Sequence, residues 1–167
     1  MRGIVVTGLI LAIIATIACI VSTDITYWID NRDIKEHYGL WEYCRQIQTD
    51  VMECVSLLDS HLAAWFQAVR VFAVAGCILL LTSTILAGVY LRQLSNRLLP
   101  LVASSVAIFG GVCCVISIII YGVEKKEQKS YFGASFYLQI PAAVLAFTAG
   151  ALFFGARRVA VHGYDSI

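Results

Sequence analysis

The sequence predicts an all-α membrane four-helix bundle with a small disulfide-stapled antiparallel β-sheet ectodomain. Three observations lead there. Four apolar runs, residues 4–23, 71–91, 98–123 and 136–156, each hold 20 or more residues. At about 1.5 Å rise per residue, each spans a hydrocarbon core of roughly 30 Å. Of the six cysteines, only Cys44 and Cys54 lie in polar sequence, and they share one loop. That loop also carries short aromatic and β-branched stretches separated by turn formers, which is strand-and-turn chemistry.

The composition agrees, with 60% hydrophobic and 14% charged residues, against roughly 45–50% and 25% in soluble domains. No run contains Lys, Arg, Asp or Glu, each of which would cost several kcal/mol at mid-membrane. Arg2 precedes the first run, as in a signal peptide. That run is longer than an h-region of about 7–15 residues and lacks an Ala-x-Ala site, so it reads as an uncleaved anchor. The second and third spans are joined by residues 92–97, which makes them antiparallel neighbours. Small residues recur at helix-packing spacing: Ala146 with Gly150, Ala151 with Gly155, and Gly110-Gly111 beside Ser104-Ser105. Pro141 falls near the start of the fourth span, where it is tolerated. The 167 residues form one four-span domain, with polar loops at 24–70 and 124–135 and a tail at 157–167.

Orientation comes from the cysteines. Five basic residues and one acid lie on the terminal face; six bases and ten acids lie on the other, with Arg70 at its border. The Lys/Arg count therefore hardly discriminates. A disulfide between Cys44 and Cys54 requires an oxidising compartment, which places both termini in the cytoplasm of a plasma-membrane protein. Residues 24–69 hold eight acids and three bases. Residues 25–29, 40–43 and 51–55 read as strands, with 30–33 and 46–50 as turns. A closed loop as short as that between the two cysteines stabilises by about 3 kcal/mol in the chain-entropy model. Trp41 reads as the plug seating the sheet on the bundle, and Gly39 as the residue permitting a tight backbone approach. Leu58, Leu62, Trp65, Phe66 and Val69 show helical spacing, which extends the second span outward to Arg70 at the interface.

Several function classes find no support. His37, His61 and His162 have no metal-ligand spacing with one another or with the cysteines. Cys19, Cys77, Cys113 and Cys114 lie in apolar runs and read as small hydrophobes. There is no CxxC pair, no intramembrane carboxylate or histidine, and no basic face for nucleic acid. No enzyme activity and no cofactor is expected. The acidic loop reads as a solvated surface or as a charged wall biasing cations, with Glu42, Arg45, Asp50 and Glu53 as the residues to test. The terminal Asp165-Ser166-Ile167 is a weak match to a PDZ ligand.

The pattern Trp28…Gly39-Leu40-Trp41-x-x-Cys44…Cys54 resembles the W-GLW-C-C signature of the claudin, peripheral myelin protein and epithelial membrane protein superfamily. Trp65-Phe66-Gln67-Ala68-Val69-Arg70 is similar to that superfamily's start of the second span. Ile120-Tyr121-Gly122-Val123, Ser130-Tyr131 and Phe136-Tyr137-Leu138 extend the likeness along nearly the whole chain. Spacing and length favour the peripheral myelin, epithelial membrane and lens-fibre branch, whereas Arg70 leans toward claudins or an invertebrate claudin-like member. No Asn-x-Ser/Thr sequon is present, nor a Tyr-Val end. The resemblance implies a non-enzymatic role in cell–cell contact, junction formation or membrane organisation. Partners would be the protein itself or related four-span proteins, in cis and trans. The alternatives are an auxiliary ion-channel subunit, similar to calcium-channel gamma proteins, and a paracellular pore.

Overall fold

The structure, a computed structural model, describes residues 2–31, 35–48, 51–58, 62–93, 96, 98–125 and 131–162. Four long helices dominate: α1 (Arg2–Asp24), α2 (Ala64–Arg92), α3 (Leu99–Lys125) and α4 (Ala134–His162). All four are long and apolar enough to cross a membrane. Within lipid a backbone must satisfy its own hydrogen bonds, and a continuous helix does so.

The packing inverts the soluble pattern. The buried stripe of α1 is Val5, Gly8, Ala12, Ala15, Thr16, Cys19, Ser22 and Thr23, while Ile10, Ile13, Ile14, Ile17 and Ile20 point outward. Large aliphatics gain nothing by leaving lipid, so small residues take the interior and let backbones approach. A Cβ at Gly150 would lie 2.9 Å from Ile108 Cγ1, and Ser104 Oγ donates to Gly150 O at 2.7 Å, joining α3 to α4. Ser83 Oγ donates to Ala103 O at 2.7 Å, joining α2 to α3. On α4 the fully buried Gln139 accepts from Ser22 Oγ of α1. Contacts run around a ring α1–α2–α3–α4, and α1 packs less extensively on α2 than on α4.

At one end sits a five-stranded antiparallel sheet made of β1 (Ile29–Asn31), β2 (Glu36–Tyr38), β3 (Glu42–Gln48), β4 (Val51–Ser56) and β5 (Tyr131–Phe132). The spatial order is β4-β3-β2-β1-β5. The first four strands come from the α1–α2 connection and β5 from the α3–α4 connection. Both connections therefore lie at the same end, opposite the start of α1 and the end of α4. Cys44 and Cys54 are directly opposed on β3 and β4 and form the disulfide.

Five local expectations need correction. Residues 25–28 precede the first strand instead of forming it, and residues 46–48 lie in β3 rather than in a turn. Asp30 and Asn31 lie in β1 rather than in a turn, because pairing with β2 and β5 draws them into the sheet. Leu40 and Trp41 lie in the bend between β2 and β3 rather than in a strand. A strand would point them to opposite faces, whereas both side chains pack toward the bundle. Leu58 and Leu62 precede α2, which begins at Ala64; Leu62 packs on the core beside Leu57 from a non-helical segment, whereas Leu58 is exposed.

Candidate functional site

The sheet joins the bundle through an aromatic core made of Trp28, Ile29, Leu40, Phe66, Val69, Ala73, Tyr121 and Phe136. Trp28 reaches deepest. It sits just before β1, is fully buried, and donates from Nε1 to Ser22 O at 2.8 Å, a carbonyl left open near the end of α1. Its ring stands edge-on to Tyr121 of α3 at 4.9 Å and to Phe136 of α4 at 6.2 Å. One side chain thus bridges three helices and the first strand.

The Gly39-Leu40-Trp41 bend lies beside it. A Cβ on Gly39 would come within 2.6 Å of Thr26 Cα. No glycine among the described residues has positive φ, so close approach to a neighbouring backbone, and not an unusual φ, is what this site requires. Leu40 is fully buried against α2. Trp41 is half-buried and donates from Nε1 to Thr23 O at 2.9 Å. Trp28 and Leu40 thus fill the seat, while Trp41 braces its edge.

Arg70 holds the arrangement together. It lies on the first turns of α2 and is only 5% exposed, so it is a buried clamp and not an interface anchor. Its Nε donates to Leu40 O at 2.7 Å and its Nη2 to Leu57 O at 3.3 Å. The guanidinium also lies over Trp41 at 5.2 Å and over Phe66 at 4.9 Å. Leu40 precedes β3 and Leu57 follows β4, and Leu57 N–H donates to Trp41 O at 2.8 Å. One charged side chain therefore pins both stems of the disulfide-bonded hairpin to α2.

The charged candidates do not form one cluster. Glu42, Arg45 and Glu53 are exposed on β3 and β4, with Arg45 opposite Glu53 in register. Arg45 Nε lies 3.2 Å from Glu36 Oε1, so part of its charge is balanced from within the sheet. Glu36 is buried and accepts from Tyr38 Oη at 3.2 Å. Loss of water, and then the nearby Glu36, pushes the Tyr38 and Tyr43 phenols above the ordinary tyrosine value. They remain neutral donors at physiological pH. His37 Nδ1 lies 3.1 Å from Asp30 Oδ1 across β1 and β2. Asp50, His61, Asp165, Ser166 and Ile167 lie outside the described residues. Among the described residues, no group of three or more His, Cys, Asp or Glu is placed to hold a metal ion.

Sequence reasoning missed Gly133, which joins the second loop to the first. Gly133 N–H donates to Trp28 O at 2.9 Å, and Ser135 N–H to Tyr27 O at 3.0 Å. A Cβ on Gly133 would overlap the Tyr27 carbonyl, and backbone cannot swing aside as a side chain can. Gly133→Ala is expected to break the β1–β5 pairing and cost about 2 kcal/mol, the usual scale of overpacking. Limited proteolysis should then cut the second loop faster than in wild type. An unchanged cleavage rate would remove this role. A lone glycine before a helix gives no signal in sequence of what packs against it. Gln139 did carry one: an amide inside an apolar run needs a partner.

The comparisons fit this geometry. A model of the PMP-22/EMP/MP20/Claudin family matches residues 2–153. A zebrafish (Danio rerio) protein described as "p53 apoptosis effector related to PMP-22" is 33% identical over 103 residues, covering 60% of this chain and 53% of that protein. The chain thus matches about half the length of that relative. A family match over nearly all of a four-span chain, with its sheet tied by one disulfide, supports one conclusion: the chain belongs to the PMP-22/EMP/MP20/Claudin family.

Proposed function

We propose that this is a non-enzymatic plasma-membrane protein whose first loop makes contacts at cell borders, supporting adhesion, junctions or membrane organisation. One observation carries the reading. The sheet is fixed to the bundle by Trp28, Leu40 and Arg70, yet its outer hairpin presents β4 exposed along its whole length. Ile47, Met52 and Val55 are each about half exposed there (58%, 49% and 54%). A firmly held open edge with apolar side chains is suited to receive another protein.

The Cys44–Cys54 disulfide supports an extracellular sheet. The opposite end of the bundle, with both termini, then faces the cytoplasm. Partners of matching chemistry are a second copy or a related four-span protein, beside it in the same membrane or across from it. Glu42 and Glu53 would colour such a contact with negative charge.

The test is the tagged full chain in mixed cultures of expressing and non-expressing cells. Enrichment at borders between two expressing cells is expected and supports trans contact between copies. Enrichment at all borders of expressing cells supports contact with a different partner. A diffuse surface signal, with co-purification of a large channel, would overturn the reading in favour of an auxiliary subunit.

A further inference from the structure

Three cysteines that read in sequence as separate packing residues converge from three helices. Cys19 Sγ on α1 lies 2.9 Å from Cys77 Sγ on α2 and 3.6 Å from Cys114 Sγ on α3. Cys19 and Cys114 are fully buried, whereas Cys77 is half-buried. Cys77 lines a groove of about 210 Å³ between α1 and α2, together with Thr23, Asp24, Trp41 and Val74. Ile20, Val74 and Ile78 make the lining largely apolar, and Thr23, Asp24 and Trp41 add polar groups to it.

We propose that Cys19 and Cys77 form a redox-active dithiol, which a hydroperoxide entering this groove converts to a second disulfide. The geometry favours this pair over Cys19 with Cys114. Its sulfurs are the closer two, and the bond, about 2.05 Å long, requires them to close by only about 0.9 Å. Cys77 is also the member of the trio that lines the groove. Thr23 Oγ1 donates to Cys19 O at 2.8 Å, which leaves its oxygen to accept from the Cys77 thiol at 3.5 Å.

The steps balance. Cys77 S–H takes one oxygen from the hydroperoxide ROOH, giving Cys77 S–OH and releasing ROH. The Cys19 sulfur then attacks the Cys77 sulfur; the S–S bond forms, the S–O bond breaks, and water leaves with the Cys19 proton. The two sulfurs lose two electrons between them, and the peroxide O–O bond gains them. ROOH can be a lipid hydroperoxide in the bilayer or hydrogen peroxide from the aqueous side.

The position of the bond gives it a consequence. It would join residues 58 apart in sequence, enclosing the whole first loop and, nested inside it, the Cys44–Cys54 bridge. It would also fasten the α1–α2 seam on which Trp41 rests through Thr23 O. Oxidation would therefore stiffen the seat of the sheet.

The experiment treats native membranes containing the full-length protein with tert-butyl hydroperoxide or hydrogen peroxide. The samples are then unfolded in SDS without reductant, and free thiols are counted by maleimide–polyethylene glycol adducts. Wild type is expected to fall from four adducts to two. The Cys114→Ser variant should fall from three to one, and the Cys77→Ser variant should stay at three. Mass spectrometry of the unmutated protein, which depends on no variant folding, should find the Cys19 peptide linked to the Cys77 peptide. Two adducts before treatment, with that link already present, support the same pairing. Loss with the lipid-soluble peroxide alone assigns the lipid source, and loss with both assigns access from water as well. A count that stays at four, a link from Cys19 to Cys114, or adduct loss with no linked peptide would overturn the proposal.

Discussion

Arg70→Met is expected to destabilise the protein by about 4 kcal/mol and to free the hairpin from the bundle. The guanidinium makes two hydrogen bonds, to the buried Leu40 O and the partly buried Leu57 O. Charge-assisted bonds are worth roughly 1.5–3 kcal/mol each, and its stacking on Trp41 and Phe66 adds about 1 kcal/mol more. Methionine fills much of the space but donates to neither carbonyl. Arg70→Lys keeps the charge and loses the planar fork, so it should reach one carbonyl and recover about half of the loss. Denaturant titration in detergent micelles measures both variants. A methionine variant within about 1 kcal/mol of wild type would refute the clamp. Surface delivery gives a second readout, because a loss of this size is comparable to the whole stability of many domains.

Trp28→Ala is expected to cost about 4 kcal/mol, the scale for removing a large aromatic from a packed core. The indole is fully buried and is shared among α1, α3, α4 and β1. No single neighbour can collapse into the space it leaves. Trp28→Phe separates the two contributions. It keeps most of the ring packing but leaves Ser22 O without its donor, and should cost about 1–2 kcal/mol. Equal losses for alanine and phenylalanine would mean that the hydrogen bond dominates and the packing account is wrong. A double variant of Trp28 and Arg70 should lose less than the sum of the two, since both hold the same core.

Parts of this seat were legible in the sequence for physical reasons. Cys44 and Cys54 stood out because thiols in wet sequence contrast with thiols in apolar runs. Gly39 beside two bulky residues signalled a close approach, and the structure places Thr26 there. The bulk of Trp41 beside Gly39 marked a seat, but nothing local showed which side chain lies deepest in it. Trp41 was read as the plug, whereas Trp28 and Leu40 are the fully buried pair. Burial depends on where a strand begins, and β1 begins one residue after Trp28, which leaves the indole among the helices. Gly133 acts through Tyr27, and Glu36 reaches Arg45 as well as its near neighbour Tyr38; no local pattern carries the long-range contacts.

The sequence by itself determined the number of helices, the disulfide and the family likeness. Each follows from hydrophobicity, from the contrast of polar and apolar surroundings, or from short linear motifs, all of them local properties of the chain. Only the tertiary structure decided that Arg70 clamps two carbonyls, that Gln139 meets Ser22, and that Cys19, Cys77 and Cys114 converge. In a bundle whose inward faces are lined with small residues, many rotations of each helix bury similar area. The rotation is therefore set by a few polar and sulfur contacts between helices. Those contacts join residues tens of positions apart, which linear periodicity cannot pair.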